Sequence, residues 1–486
     1  MRAYLILNIF IFLASNIFAL DYYWIGGTGN WSDINHWATT SGGTILHTTV
    51  PSSTDDVYFD ANSFNTTGAV VTLDVQNAFC RDLNWTGAAN NPTFQFQIPN
   101  QYNGDILRIF GDLSFIPNMT VNVGRIIFEG FAGAPKQVQT GNNPLRTIRF
   151  SELNQRWELA DTLKADYLVV ESGELKTNNN FVDVGCLDQT TQNTLVEFDS
   201  SIVKLSYKDT WVRFNINNYP FNAGNSTIIF AANANSHNLS INGSNQVFHK
   251  VIFEDSISTH YLGNNNNFSW VYSKGNLEAR SDTLDTLIID PGKKLMIYNG
   301  VTAVQSLFGF NGTCAKPIFI EGETSGSPTL HFNPGAISLN YLSTKNINYT
   351  GGPWIATNSF DLGNNTGITI IQPAVSNLYW VGGTGNWSDV NHWALTSGGP
   401  GGACLPNART NVIFDVNSFI SASDTVKIDI NDAYCRDFTW LPGVTGNPLL
   451  KETFAAKNQN LHVYGDFTLA PTMDYDFIGF LWFEHV

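Results

Sequence analysis

Beyond roughly residue 104 the chain is written as short runs in which Ile, Val, Leu and Phe alternate with polar residues: "LRIFGDLSF", "GRIIFEG", "YLVVESGELKT", "HKVIFED", "WVYSKGNLEA", "TLIIDPGKKLMIY" and "PIFIEGE" among them. Successive side chains of a strand point to opposite faces, so a period of two marks a strand with one buried face. No stretch sets apolar residues at the i, i+3, i+4, i+7 spacing of an amphipathic helix. The runs recur at intervals of roughly 16 to 25 residues. Several share a finer pattern of strand, glycine and then Leu or Phe, at Val170/Gly173/Leu175, Tyr272/Gly275/Leu277, Ile289/Gly292/Leu295 and Phe110/Gly111/Leu113. Glycine at these points is expected to supply the positive φ of a tight turn.

The pattern predicts an all-β protein and leaves two architectures open. Tandem β-sandwiches would pair each strand with its sequence neighbour through short hairpin turns. A right-handed parallel β-helix would use one set of strands per coil of about 20 residues and tolerate Asn and Ser at its corners. The spacing of the runs and the asparagines at Asn178–Asn180 and Asn264–Asn267 favour the parallel β-helix, or solenoid, with corner side chains stacked in ladders.

A second pattern is a long duplication. "YYWIGGTGNWSDINHW" (Tyr22 to Trp37) returns as "LYWVGGTGNWSDVNHW" (Leu378 to Trp393), "DDVYFDANSF" as "TNVIFDVNSF", and "VTLDVQNAFCRDLNW" as "VKIDINDAYCRDFTW". The expected organisation is a first Trp/Gly-rich β module over 22–130, a solenoid region over 131–377, and an incomplete second copy of the module over 378–486. Trp24, Trp31 and Trp37, with Trp380, Trp387 and Trp393, have two readings. They cap the open end of a solenoid, or they offer flat faces to sugar rings, in which case Trp31, Trp37, Trp387 and Trp393 are the candidate glycan-stacking residues.

Composition places the chain in a compartment. Residues 1–19 join a basic start (Arg2) to an apolar run and a small residue, Ala19, and so read as a secretory signal peptide, too short to span a bilayer. No other stretch is long and apolar enough for a membrane-spanning segment. Only 14% of the 486 residues are charged, and the net charge of −16 disfavours nucleic acid and anionic lipid as partners. The expected partners are extracellular glycans or other surface proteins.

Candidate chemistry changes little. Of the five cysteines, Cys80 and Cys435 occupy the same position of the two copies, and Cys404 precedes Cys435 by a short interval, so a Cys404–Cys435 disulfide is expected, with buried free thiols as the alternative. His36 and His392 lack the company of other ligands that zinc needs. Asp33, Asp55, Asp56 and Asp60, echoed by Asp389 and Asp415, are turn formers or a Ca²⁺ site, and no other cofactor is called for. No nucleophile elbow, zinc-protease or nucleotide-binding motif occurs, and pairs such as Asp161 and Asp166 carry no catalytic assignment.

The opening "YWIGGTGNWSDINHW", followed by Pro51 and "DDVYFD", resembles a unit at the start of β-helical stretches in autotransporter-like passengers, and more closely repeats of large Bacteroidetes surface proteins exported by the type IX route. The resemblance covers 22–130 and 378–486, and extends to the middle only in style. It implies an adhesin or matrix-associated protein and names no catalytic residue. Such proteins end in a C-terminal sorting domain, and none is visible before Val486, so the chain is expected to be the N-terminal part of a longer polypeptide. The sequence therefore points to a secreted or cell-surface adhesion protein displaying a β-solenoid surface, with a secreted β-helical polysaccharide lyase or glycoside hydrolase as the alternative.

Overall fold

A computed structural model describes residues 19–97, 106–130, 132–206, 212–231, 239–326, 328–333, 335–444, 446–453 and 459–484. The expected signal peptide lies outside the described residues, apart from Ala19. Among the described residues the chain forms strands and two short 3-10 turns and no α-helix, and it divides into two compact units, 1–228 and 229–486.

In the first unit three series of strands run in parallel. One begins with Asp21–Trp24, Asp56–Tyr58, Leu83–Asn84, Leu113–Ser114 and Lys136–Gln139. A second contains Gly29–Asn30, Val70–Leu73, Thr93–Phe96 and Thr120–Asn122. The third joins Asn77–Cys80 to Ile106–Ile109, Arg125–Phe128, Pro144–Leu159, Leu163–Lys176 and Val182–Gln189. Each strand thus pairs with one from the preceding or following round of the chain. That order does not fit hairpin-built sandwiches. Antiparallel contacts occur at the start of the module, where Asp21–Trp24 pairs with Trp37–Ala38 and Ala38 bridges Leu46, folding that segment onto itself.

The second unit repeats the principle. Val247–Phe253, Asn267–Ser273, Thr283–Ile289, Val301–Phe310, Thr329–Phe332 and Asn348–Gly351 form one parallel series. Thr259–Tyr261, Asn276–Ala279, Lys294–Ile297, Ile318–Gly322 and Leu342–Lys345 form another. The second Trp/Gly-rich copy builds three series of its own, headed by Ser376–Trp380, Gly385–Asn386 and Asp432–Cys435.

Burial follows the alternation seen in the sequence. Leu168, Val170 and Leu175 in the first unit, and Val271, Leu277, Leu287 and Leu295 in the second, are buried, while the residues between them are largely half-buried or exposed. The asparagines of the turns bond mainly to backbone of the preceding round rather than to one another. Asn90 donates to the Phe64 carbonyl (2.8 Å), Asn180 to Leu159 (2.8 Å) and Asn365 to Thr344 (2.8 Å). A side-chain amide is well suited to this because it satisfies a backbone group that the strand ladder leaves unpaired at a bend.

The glycine expectation holds for half of its cases. Gly173 and Gly292 have φ of 81° and 82°. Gly111 and Gly275 do not enter the left-handed region. They are needed for space, since a Cβ would stand 1.8 Å from Asp82 Oδ1 at Gly111 and 2.5 Å from the Ser258 carbonyl at Gly275.

The cysteine expectation is corrected. Cys404 is bonded to Cys314, and Cys435 is a buried thiol outside any disulfide, as are Cys80 and Cys186. Cys435 lies in the inward pattern of its strand and is wholly buried in the module core, whereas Cys404 lies in a loop that reaches the connection before Ile318–Gly322.

Candidate functional site

The Trp/Gly motif is built alike in both copies. The paired glycines Gly26 and Gly27 (φ 84° and 75°), and Gly382 and Gly383 (82° and 76°), turn the chain so that an indole can bond back to it. Trp24 Nε1 donates to the Gly27 carbonyl (2.8 Å) and Trp37 Nε1 to the Trp31 carbonyl (2.9 Å); Trp380 and Trp393 do the same to Gly383 (2.7 Å) and Trp387 (2.8 Å). Trp37 stands edge-on to both Trp24 and Trp31 at 4.9 Å, a geometry favoured by the ring quadrupoles. His36 and His392 lie flat on Trp24 and Trp380 at 4.5 and 4.7 Å, each with Nδ1 against a backbone carbonyl. A Cβ on Gly29 or Gly385 would meet the imidazole Nε2 at 2.1 Å, which accounts for the last glycine of "GGTG".

All four tryptophans expected to stack on glycans are therefore in the core. Trp31 and Trp387 are 1% exposed, and Trp37 and Trp393 are 0% exposed. A buried indole has no face to offer a sugar ring, and that assignment is withdrawn. The aspartates serve turns. Asp33 and Asp389 accept from the backbone N–H of Asn35 and Asn391 at the start of each 3-10 turn. Asp55 caps Ser52, Asp56 pairs with Arg81, and Asp60 and Asp415 accept from Asn62 and Asn417. Asp161 accepts from the backbone of Thr140 and Gly141. Among the described residues no three His, Cys, Asp or Glu side chains gather as a metal site, so the Ca²⁺ reading finds no donor set there.

The structure brings together a different group of residues in the second unit. Three successive connections carry lysines: Lys274 after Asn267–Ser273, Lys293 after Thr283–Ile289, and Lys316 after Val301–Phe310. The strands before them pair in parallel, and so do the strands after them, so the connections stack along one edge. Along that edge runs a cavity of about 590 Å³, closed on its far side by Ile430, Asn431, Asp432 and Tyr434 of the second module. A smaller cavity of about 210 Å³ shares Pro317, Phe319, Pro406 and Tyr434 with it, making one furrow.

Ties of several kinds hold the module to this edge, the backbone bond from Leu405 N–H to the Cys314 carbonyl (3.2 Å) and the Lys345–Glu484 pair (4.0 Å) among them, and three of them border the furrow. They are the Cys314–Cys404 disulfide, the stack of Phe319 on Tyr434 at 5.5 Å, and Lys294, which reaches Glu321 at 3.0 Å and Asp432 at 3.1 Å. Burial weakens the charge of Lys294, but its two carboxylate partners outweigh that and raise its pKa. Asp432 also pairs with His462 (3.2 Å), and its pKa is held well below the usual carboxylate range despite burial. The pKa of Lys293 is lowered, chiefly by burial, with Lys316 adding repulsion against the pull of Asp290.

In the sequence the lysines of "SKGNL" and "PGKKL" are hidden beside the glycines that mark the turns. The available signal is a lysine just before the strand in successive rounds, blurred because the spacing from one lysine to the next is uneven. Among the described residues no helix is long and apolar enough to cross a membrane. No protein-family profile, no curated protein and no solved structure matches the chain.

Proposed function

We propose that this protein is an exported, cell-surface or matrix-associated β-solenoid whose work is attachment and display, of the type IX-exported Bacteroidetes kind that its start motif resembles. The observation that carries the reading is the recurrence of one buried tryptophan cluster at the head of separate parallel strand series, at Trp24/Trp31/Trp37 and again at Trp380/Trp387/Trp393. A motif whose aromatic residues are all core is a device for starting a stack, and stacks started repeatedly build long surfaces. The disulfide Cys314–Cys404 supports an oxidising compartment. The right-handed closed coil expected from the sequence belongs to this proposal, supported by the parallel pairing order.

Beads coated with the purified chain, washed over surfaces bearing extracellular glycans and proteins, are expected to attach. The same preparations incubated with soluble polysaccharides are expected to release no new chain ends. Release of reducing or unsaturated ends at catalytic rates would replace this reading with that of a degrading enzyme.

A further inference from the structure

We propose that the furrow along the lysine-bearing edge of the second unit is a binding site for an acidic oligosaccharide, one carrying carboxylate or sulfate groups. The inference rests on the attachment reading and names its ligand class.

Charge is the first observation. The whole chain carries −16, yet four lysines, Lys274, Lys293, Lys294 and Lys316, line the larger cavity against two carboxylates, Asp290 and Asp432. Lys294 is spent on Asp432 and Glu321, and Asp290, which accepts from the hydroxyl of Tyr272 at 2.8 Å, sets its charge against Lys293, so Lys274 and Lys316 carry the unbalanced positive charge. Lys293 donates to the Ser256 carbonyl at 2.7 Å, while Lys274 and Lys316 form no ion pair among the described residues. Two half-buried or exposed ammonium groups without partners, in a concave place on an acidic protein, form a local positive field that an anion would neutralise.

Shape and lining are the second. A volume of about 590 Å³ lies in the range of small-molecule sites and continues into a second cavity, so it suits a few linked rings rather than a lone ion. Between the lysines stand apolar patches, Ile257 at 75% exposure and the exposed Pro291, together with the amides of Asn276 and Asn431. Sugar rings present C–H faces, hydroxyls and, in uronic or sulfated sugars, regularly spaced charge, and each finds its counterpart here. The furrow is also pre-formed, because the disulfide, the Lys294–Asp432 pair and the Phe319–Tyr434 stack fix its far wall.

The test is calorimetric titration of the whole chain with oligogalacturonate, alginate oligomers, chondroitin sulfate oligomers, a neutral dextran oligomer, polyglutamate and polyphosphate, at low and high salt. The expected result is binding of the acidic saccharides, weakened by salt, with none for dextran. The carboxylate and sulfate arms tell which group is preferred. The double variant Lys274→Ala/Lys316→Ala is expected to lose at least tenfold in affinity and to show a shallower salt dependence. Lys316→Glu alone is expected to lose more than Lys316→Ala, and Lys427→Ala, outside the furrow, nothing. Absence of binding to every acidic saccharide, equal binding by the double variant, or tighter binding of polyglutamate or polyphosphate overturns the assignment. If coated beads attach to surfaces and beads coated with the double variant attach equally well, the furrow fails and the display reading stands. If neither attaches, the display reading fails, and the titration still decides the furrow.

Discussion

His260 is a buried imidazole stacked on Phe253 at 4.6 Å, with Nδ1 2.7 Å from the Ser273 hydroxyl and Nε2 buried without a partner. The Ser273 hydroxyl donates to the Gly275 carbonyl, so Nδ1 carries the proton and Nε2 is bare. Burial, only partly opposed by Asp255 and reinforced by Lys293, pushes the pKa down to about 4. A histidine whose folded pKa lies below its unfolded value of about 6.5 resists protonation in the native state. Its contribution to stability is full above about pH 6.5 and is lost as pH falls toward 4, by about 3 kcal/mol at pH 4. Denaturant unfolding of the protein and of His260→Phe between pH 4 and 8 should show the difference between the two shrinking or reversing toward acid. A constant difference across that range would show that His260 titrates normally.

A single residue is legible in the sequence where its constraint is local, and not where a neighbour from another round supplies it. The turn role of Gly173 follows from the residue type. The spatial role of Gly275 depends on the Ser258 carbonyl from the preceding round, which no local pattern reveals. The tryptophans show the same limit, since an aromatic run reads alike whether its rings face solvent or core, and only their burial decided against sugar stacking.

At the scale of the strand, alternation translated directly into burial because the side-chain period of a strand is two whatever it pairs with. What alternation leaves open is the partner. Here the turns help decide it, through asparagines that tie one round to the next. Asn365 is the clearest case: its Oδ1 accepts from the Ile347 N–H at 3.0 Å, and its Nδ2 donates to the Thr344 carbonyl at 2.8 Å. Asn365→Ala leaves the Ile347 N–H without its acceptor, while the Thr344 carbonyl keeps the Leu362 N–H at 2.8 Å, and is expected to cost about 1 to 2 kcal/mol in denaturant unfolding. Asn365→Asp keeps the acceptor for Ile347 but sets a carboxylate against Asp361, to which the amide donates at 2.6 Å, and is expected to cost at least as much as Asn365→Ala at neutral pH. If Asn365→Ala unfolds like the parent, the turn is wetted and the amide is dispensable.

At the scale of the whole molecule, the contact between the second module and the lysine-bearing edge includes a disulfide, an aromatic stack and a buried ion pair. The bridge joins residues 90 apart, and a loop of that size restrains the unfolded chain by about 4.6 kcal/mol in the chain-entropy account. Cys404→Ser is therefore expected to lower stability by a few kcal/mol and to speed proteolytic cleavage in the already exposed connection 372–375, while the core around Trp380 and Trp393 stays folded. Limited proteolysis with tryptophan fluorescence checks both. Non-reducing peptide mapping should link Cys314 to Cys404 and leave Cys435 reactive only after unfolding.

What the sequence determined by itself is the β class, the inward and outward faces of the strands and the duplicated tryptophan module. Each is written in neighbouring residues, as a period of two or as a motif whose hydrogen bonds close within a few positions, like Trp24 to Gly27. Only the tertiary structure decided which strands are neighbours, that Cys404 joins Cys314, and that Lys274, Lys293 and Lys316 share a furrow with Asp432. The physical reason is that these juxtapositions depend on how many residues each round of chain takes up and on how the second module lies along the strand edge. Both are set by packing summed over many residues, and no local spacing carries them.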